Sequence, residues 1–172
     1  MKEMKKNLFF YVFAVLCTMP FFTSCSDDDD PVETVSAADS VIGDYQGNLS
    51  IALVTDGVSV PTGDAISQTI SVAKAGDNAV DLQITDFTFM EMPIGNIALE
   101  NCQLTSAGDN TYNFTATSSL AVAGMLEADI DATGTFENGK LNLDLNIDNV
   151  SLLGNPVPYT VEVTYEGTKA AN

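Results

Sequence analysis

The chain has 172 residues, and its 24 acidic residues outnumber its 6 basic residues, which gives a net charge of −18. This length suits one domain, and so acidic a chain cannot neutralise phosphates, which excludes nucleic acid as a partner. The sequence contains no histidine, so it offers neither a histidine-based catalytic pair nor an ordinary zinc site.

The N-terminus has the pattern of a secretory signal. Three lysines lie within residues 1–7, and an apolar run follows over residues 8–22. This run is shorter than the roughly 20 residues that a membrane-spanning helix needs. Phe22-Thr23-Ser24-Cys25 resembles the lipobox of bacterial lipoproteins, in which the cysteine is lipidated and becomes the new N-terminus. The resemblance implies a signal peptide over residues 1–24 and a lipid on Cys25; the alternative is an ordinary signal with a chance cysteine.

An acidic segment follows the cysteine. Residues 26–39 contain Pro31 and lack apolar periodicity, and charges of one sign repel each other, so residues 25–40 are predicted to form an extended, flexible tether. The first five residues resemble the signal that marks lipoproteins for export to the cell surface in Bacteroides and related bacteria: Ser26, Asp27, Asp28, Asp29 and Asp30. The resemblance implies a lipid-anchored protein of the outer membrane, exposed at the cell surface. A solvated spacer is the alternative.

Apolar and polar residues alternate through most of residues 41–169. The clearest set is Leu141, Leu143, Leu145 and Ile147. A period of two is typical of β-strands. Short turn-like segments separate successive strands, and Asn138-Gly139 is the strongest hairpin signal among them. The pattern predicts an all-β domain over residues 41–169, an antiparallel up-and-down β-barrel of about eight strands.

One predicted strand departs from the alternation. Its apolar residues fall on two parities, Ile97 with Leu99 and Cys102 with Leu104. A β-bulge near Glu100-Asn101 would return both pairs to one face. Cys102 is then predicted to be a small buried hydrophobic residue.

The polar faces of the predicted strands are strongly acidic, as in Glu127, Asp129 and Asp131. These carboxylates would repel each other inside a small barrel, so we expect them to face water and the apolar faces to turn inward. A membrane-spanning barrel with the apolar faces outward is one alternative, and a β-sandwich is another. An eight-stranded barrel is either filled by side chains or holds one small ligand, and the sequence leaves that choice open.

Several short motifs in the predicted barrel are similar to those of the calycin-like lipoproteins of Bacteroides and relatives. They are Gly43-Asp44-Tyr45-Gln46-Gly47-Asn48-Leu49, Phe87-Thr88-Phe89, Met92-Pro93-Ile94-Gly95-Asn96-Ile97, Gly134-Thr135-Phe136, Gly139-Lys140-Leu141 and Tyr159-Thr160-Val161. The resemblance implies a lipocalin-like barrel without an established catalytic function. The related lipocalins bind small apolar molecules inside the barrel. Tyr45 stands where their first strand has tryptophan, and the arginine that packs on that tryptophan has no counterpart here.

Three predicted loops would meet at one end of the barrel and form its mouth. They lie around residues 90–94, 123–125 and 152–156. Flexible methionines at an opening could admit an apolar ligand or could equally plug the barrel end. The candidate ligand-binding residues are Met90, Met92, Ile94 and Met125.

The sequence offers little support for catalysis or metal binding. Asp129 and Asp131 would lie roughly 7 Å apart on one strand face, but neither is expected to be desolvated. Asp129-x-Asp131-x-Thr133-Gly134 resembles the start of a calcium loop, yet Lys140 stands at its twelfth position. We therefore predict no enzyme, no metal site and no cofactor. The predicted function is a membrane-anchored lipoprotein that binds a small apolar or neutral ligand; the alternative is a packed barrel that serves as an interaction module in a surface protein complex.

Overall fold

The computed structural model describes residues 35–89, 92–122 and 124–171. The signal peptide, Cys25, the export residues 26–30 and Met90 lie outside these described residues. The described elements are one helix and eleven strands: α1 Ala37–Val41, β1 Gly43–Thr55, β2 Val58–Pro61, β3 Ile66–Gly76, β4 Ala79–Phe89, β5 Met92–Gln103, β6 Thr105–Gly108, β7 Thr111–Val122, β8 Leu126–Glu137, β9 Lys140–Leu152, β10 Asn155–Pro156 and β11 Thr160–Lys169.

The strands form one antiparallel sheet in the order β5-β4-β3-β1-β11-β9-β8-β7-β6, with β2 on β1 and β10 on β9. Eight strands are long, and β2, β6 and β10 have only 4, 4 and 2 residues. The predicted all-β, antiparallel barrel class is confirmed. The strand number exceeds the predicted eight because these three short strands hold too few residues to show a period of two. A single continuous sheet also excludes the β-sandwich.

The sheet curves into a nearly closed barrel. β5 and β7 face each other at the seam, where Ser118 Oγ on β7 donates a hydrogen bond to the Ala98 carbonyl on β5 at 3.0 Å. No backbone ladder between these two strands is present in the described residues. Instead β6 continues β5 and pairs with the beginning of β7. The seam is thus held by side chains, while the other long strands are joined by backbone hydrogen bonds.

Apolar side chains fill the inside of the barrel and acidic side chains cover its outside. Every buried side chain among the described residues is hydrophobic, and Glu127, Asp129 and Asp131 are exposed as predicted. This is the opposite of a barrel whose apolar faces contact lipid. The described residues include no helix with the length and hydropathy that crossing a membrane requires.

The predicted bulge in β5 is present at Glu100-Asn101. Leu99 pairs with Leu82 and Cys102 pairs with Val80, so two residues of β5 stand opposite Asp81 alone. Asn101 has a left-handed backbone with φ 55°, and its N–H donates to Asp81 Oδ1 at 2.7 Å. The bulge returns Leu99 and Cys102 to the same buried face, as the change of parity indicated.

Five further register shifts in the described strands were not predicted, and two of them contain a left-handed Asp or Asn. In β4, Asp86 has φ 51°, and its N–H donates to the Asn96 side chain at 3.1 Å. In β9, Asn149 has φ 51°, and its side-chain amide donates to Asp129 Oδ2 at 2.8 Å. These two bulges, like the one at Asn101, combine a left-handed Asp or Asn with a polar side chain on the neighbouring strand.

The helix α1 corrects the prediction for the end of the tether. Residues 37–41 are helical, and the compact unit begins at Val35, so the extended conformation expected for residues 25–40 is wrong for residues 37–40. A capping box between Ser36 and Asp39 starts the helix. Ala38 is fully buried, and its N–H donates to the Asp77 carbonyl at 3.0 Å. The sequence contains the capping motif of this helix as Ser36-x-x-Asp39. The helix itself was not predicted, because five residues are too few to show a helical period.

An ion pair fastens α1 to the sheet. Lys74 Nζ on β3 lies 2.9 Å from Asp39 Oδ1 and 3.2 Å from Asp77 Oδ1. The hydrogen bond from the Ser36 hydroxyl and the contact with Lys74 lower the pKa of Asp39. The same contacts with Asp39 and Asp77 raise the pKa of Lys74. Both partners are partly exposed, so the pair fixes the position of α1 more than it adds stability.

Candidate functional site

The barrel has two different ends. At the closed end, α1 packs on the barrel core through Ala38 and Val41, beside the turns that join β3 to β4 and β8 to β9. The open end lies opposite, where the turns between β1 and β2, between β7 and β8 and between β9 and β10 meet. The predicted mouth loops therefore belong to the open end.

Large aromatic side chains fill the closed end. Tyr45 contacts Phe136 with ring centroids 5.5 Å apart, and Phe114 contacts Phe136 at 5.4 Å. The Tyr165 hydroxyl donates to the Tyr45 carbonyl at 2.7 Å, and the Tyr45 hydroxyl donates to the Val41 carbonyl at 2.8 Å. Both buried hydroxyls are thus paired. A space of about 250 Å³ remains at this end beside Tyr45 and Phe136, and polar groups from Ser40, Glu137 and Asn138 belong to its walls.

The open half contains an apolar space of about 170 Å³, the inner cavity. Its walls come from six long strands and from the segment before β11: Phe87, Ile94, Leu120, Leu126, Ala128, Ile147, Val150, Leu152, Tyr159 and Val161. The cavity exists because small side chains such as Ala128, Val150 and Val161 occupy this half, whereas the aromatic residues are concentrated in the other. For comparison, an engineered cavity of about 150 Å³ in another protein stays dry and binds benzene.

A second space of about 130 Å³, the outer chamber, adjoins the inner cavity. Ile94, Leu126 and Leu152 line both spaces. The outer chamber is completed by Pro93, Val122, Met125 and Leu153. Together the two spaces offer room for one small apolar ring or one short alkyl chain.

The structure brings two of the four predicted binding residues to these spaces. Ile94 is only 9% exposed and lines both of them, and Met125 is 49% exposed and lines the outer chamber. Met92 begins β5, and Met90 lies outside the described residues. The predicted long loop over residues 90–94 is wrong, because β5 already starts at Met92.

Most wall residues of the inner cavity were not among the predicted binding residues. Alternation indicates which side chains turn inward, but it does not indicate at which height of the barrel they leave a gap. The inward orientation of Phe87 and Val150 was harder to predict, because the bulges at Asp86 and Asn149 shift the alternation by one residue just before them. The sequence feature that indicates the bulge in β4 is the spacing of three residues between Ile84 and Phe87, which are both buried.

The barrel interior contains one cysteine among the described residues, Cys102. Cys102 is buried, and burial together with the nearby Asp81 carboxylate raises the pKa of its thiol to about 11. A thiol that stays protonated at neutral pH is a poor nucleophile. Within the described ranges, no three residues of the metal-binding types form a cluster. Of the described residues that line the inner cavity, Tyr159 alone has a polar group in its side chain.

Comparison with known proteins agrees with this architecture. The structure is similar to the crystal structure of a candidate outer membrane protein from Bacteroides fragilis, with a TM-score of 0.53 and 14% sequence identity. The match covers 78% of this chain and 53% of that protein, so this chain spans about half its length. At this identity the likeness shows the fold alone. A search of curated proteins gives no match.

The family model described as the calycin-like beta-barrel domain matches residues 41–168. This range spans the eleven strands, from two residues before the start of β1 to the penultimate residue of β11. The resemblance drawn from the short sequence motifs is confirmed. The chain belongs to the calycin-like β-barrel family.

Proposed function

We propose that this protein is a lipid-anchored protein of the outer membrane, exposed at the cell surface, whose barrel binds a small apolar or neutral ligand. The observation that carries the proposal is the inner cavity, an apolar space at the open end of the barrel that shares three wall residues with the outer chamber. Apolar concave sites with few polar groups are the usual form of small-molecule sites. A barrel that served only as a scaffold would be expected to fill both halves with side chains.

The proposed anchor depends on the sequence before Val35. The lipobox places a lipid on Cys25, and residues 26–30 supply the surface-export signal. Membership of the calycin-like family and the Bacteroides neighbour are consistent with an envelope protein. The cysteine would hold the barrel at the membrane through about ten residues of chain, since Val35 is where the compact unit begins.

The proposed function is binding without catalysis. Among the described residues, the cavity walls hold no carboxylate, no thiol and no amine, so a bound molecule would meet neither a general acid nor a nucleophile from these walls. A hydrolase activity that one carboxylate substitution abolishes would contradict this part of the proposal.

Ligand binding can be tested with a neutral fluorescent probe such as N-phenyl-1-naphthylamine and the full chain carrying Cys25→Ser. Ala128 lies in the cavity wall, so Ala128→Leu should reduce probe affinity at least tenfold. Ala121→Leu is the matched control, because Ala121 is exposed on the neighbouring strand. Val161→Leu provides a second blocking variant. Equal probe binding by the Cys25→Ser chain and by its three further variants, or no binding by any of these four proteins, would contradict the proposal.

The anchor can be tested separately by metabolic labelling with an alkyne analogue of palmitate. Cys25→Ser should abolish the label and release the protein from the membrane fraction. Cys102→Ser should keep both, because Cys102 is buried in the barrel. Unchanged labelling of Cys25→Ser would refute the lipid anchor.

A protein-binding role is the second candidate, and an exposed apolar strand favours it. Val58 and Val60 on β2 are 61% and 56% exposed, which is unusual for two valines of one short strand. If a surface complex uses this strand, Val58→Ser with Val60→Ser should prevent co-purification of a partner from solubilised outer membrane. An unchanged set of co-purifying proteins would count against this candidate.

A further inference from the structure

Charged side chains are distributed unevenly between the two ends of the barrel. The lysines of the described residues all lie at the closed end: Lys74 late in β3, Lys140 at the start of β9 and Lys169 at the end of β11. Lys74 is paired with two aspartates, and Lys169 Nζ donates to the Ser40 carbonyl at 3.2 Å. The sequence has no arginine and no histidine.

The open end carries carboxylates without a cation among the described residues. Asp56 lies in the turn between β1 and β2, Asp86 lies near the end of β4, and Glu127 lies near the start of β8. Asp148 lies beside the β9 bulge. All four are exposed or half-buried, so the potential at this end is negative.

Two of these carboxylates line a groove that adjoins the inner cavity. This acidic groove has a volume of about 730 Å³, and its walls include Asp56 and Asp148. Val150 and Tyr159 belong to the walls of both the groove and the inner cavity. The apolar space and the anionic groove therefore meet at these two side chains.

We infer that the ligand is a cationic amphiphile, with its apolar part in the inner cavity and its ammonium group in the acidic groove. This inference rests on the proposed binding function and adds the ligand's charge. A carboxylate ligand would meet the negative end of the barrel without an arginine or lysine partner. An ammonium group about 4 Å from one carboxylate in water would gain roughly fivefold in affinity. Two carboxylates would raise that preference further at low salt.

Octylamine, octanol and octanoate form a matched set of probes, because they share one chain and differ in charge at pH 8. Calorimetry at low ionic strength on the Cys25→Ser chain should show octylamine binding about tenfold more tightly than octanoate. Asp56→Asn and Asp148→Asn should each reduce octylamine affinity several-fold and leave octanol unchanged. Asp109→Asn is the control, since it removes one charge from an exposed turn at the closed end.

Asp56→Asn is expected to fold normally, because Asp56 has φ 52° and precedes Gly57, and Asn-Gly suits such a turn. Octanoate binding as tightly as octylamine, or an amine preference that both substitutions leave unchanged, would overturn this inference and leave the binding function standing. Octylamine binding that survives Ala128→Leu would show adsorption outside the cavity and would also overturn it. If none of the three probes binds, the proposed binding function itself fails, and the inference fails with it.

Discussion

Two buried tyrosines should make the stability of the barrel depend on pH above 10. Burial raises the pKa of both Tyr45 and Tyr165 from 10.0 to about 12. Between these values the unfolded chain releases the two protons and the folded barrel keeps them, so the unfolded state binds fewer protons. The free energy of unfolding is therefore at its full value below pH 10 and falls as the pH rises toward 12.

The magnitude follows from the size of the shift. A shift of one pKa unit corresponds to about 1.4 kcal/mol, so each tyrosine should contribute about 2 to 3 kcal/mol, lost across this window. Such a loss is a large part of the 5 to 15 kcal/mol that is typical of a whole domain. The two hydroxyls donate to backbone carbonyls at 2.7 and 2.8 Å, and ionisation would remove both hydrogen bonds.

The assay is urea unfolding followed by far-UV circular dichroism at pH 9, 10, 11 and 12. Tyr165→Phe and Tyr45→Phe should each lower the stability at pH 9 by about 1 to 3 kcal/mol, because a buried carbonyl loses its donor. Each variant should then lose less stability than the wild type between pH 10 and 12. Lysine deprotonation in this window affects wild type and variants alike. A pH dependence that is identical in all three proteins would refute the reasoning.

Three further predictions concern the bulge, one close contact and the buried thiol. Asn101→Val should lower the urea midpoint by the equivalent of about 1 to 3 kcal/mol, because a β-branched residue is strained at φ 55°. Asn101→Gly is the control, since glycine adopts this conformation freely. Equal midpoints for the two variants would contradict the left-handed backbone at Asn101. Gly134→Ala should cost about 1 to 3 kcal/mol in the same assay, because a Cβ at this position would overlap the Phe114 ring, and an unchanged midpoint would contradict that contact. Cys102 should react with a thiol reagent only after urea unfolding, and rapid reaction of the folded barrel would show that the thiol is accessible.

The long strands could be predicted from the sequence because each shows several periods of two. In β9, the residues Leu141, Leu143, Leu145 and Ile147 are all buried, as the alternation indicated. The bulge at Asn101 was also predictable, since apolar residues stand on both sides of the change in parity. The two-residue strand β10 was not, because its pairing depends on the position of β9 and leaves no periodic signal.

The mouth of the barrel could be predicted only in part. Successive hairpin turns of an up-and-down barrel alternate between its ends, so Met125 and Ile94 could be assigned to one end from the order of the strands. The inner cavity could not be predicted, because its volume depends on side chains that several strands bring to one height. That height is set by the register between strands, and the bulges change the register.

The bulges in β4 and β9 are held by polar groups on the outer face of the barrel, and they determine which side chains reach the wall of the inner cavity. Phe87 and Val150 each follow a bulge, lie three residues after the preceding buried residue, and line the inner cavity. Without the extra residue, strand alternation would turn both side chains outward. The β9 bulge is held by the hydrogen bond from Asn149 to Asp129, so this carboxylate has a structural role. From the sequence alone it could be taken for a catalytic or calcium-binding group. Its effect on ligand binding would be indirect, through the register that places Val150 in the cavity wall.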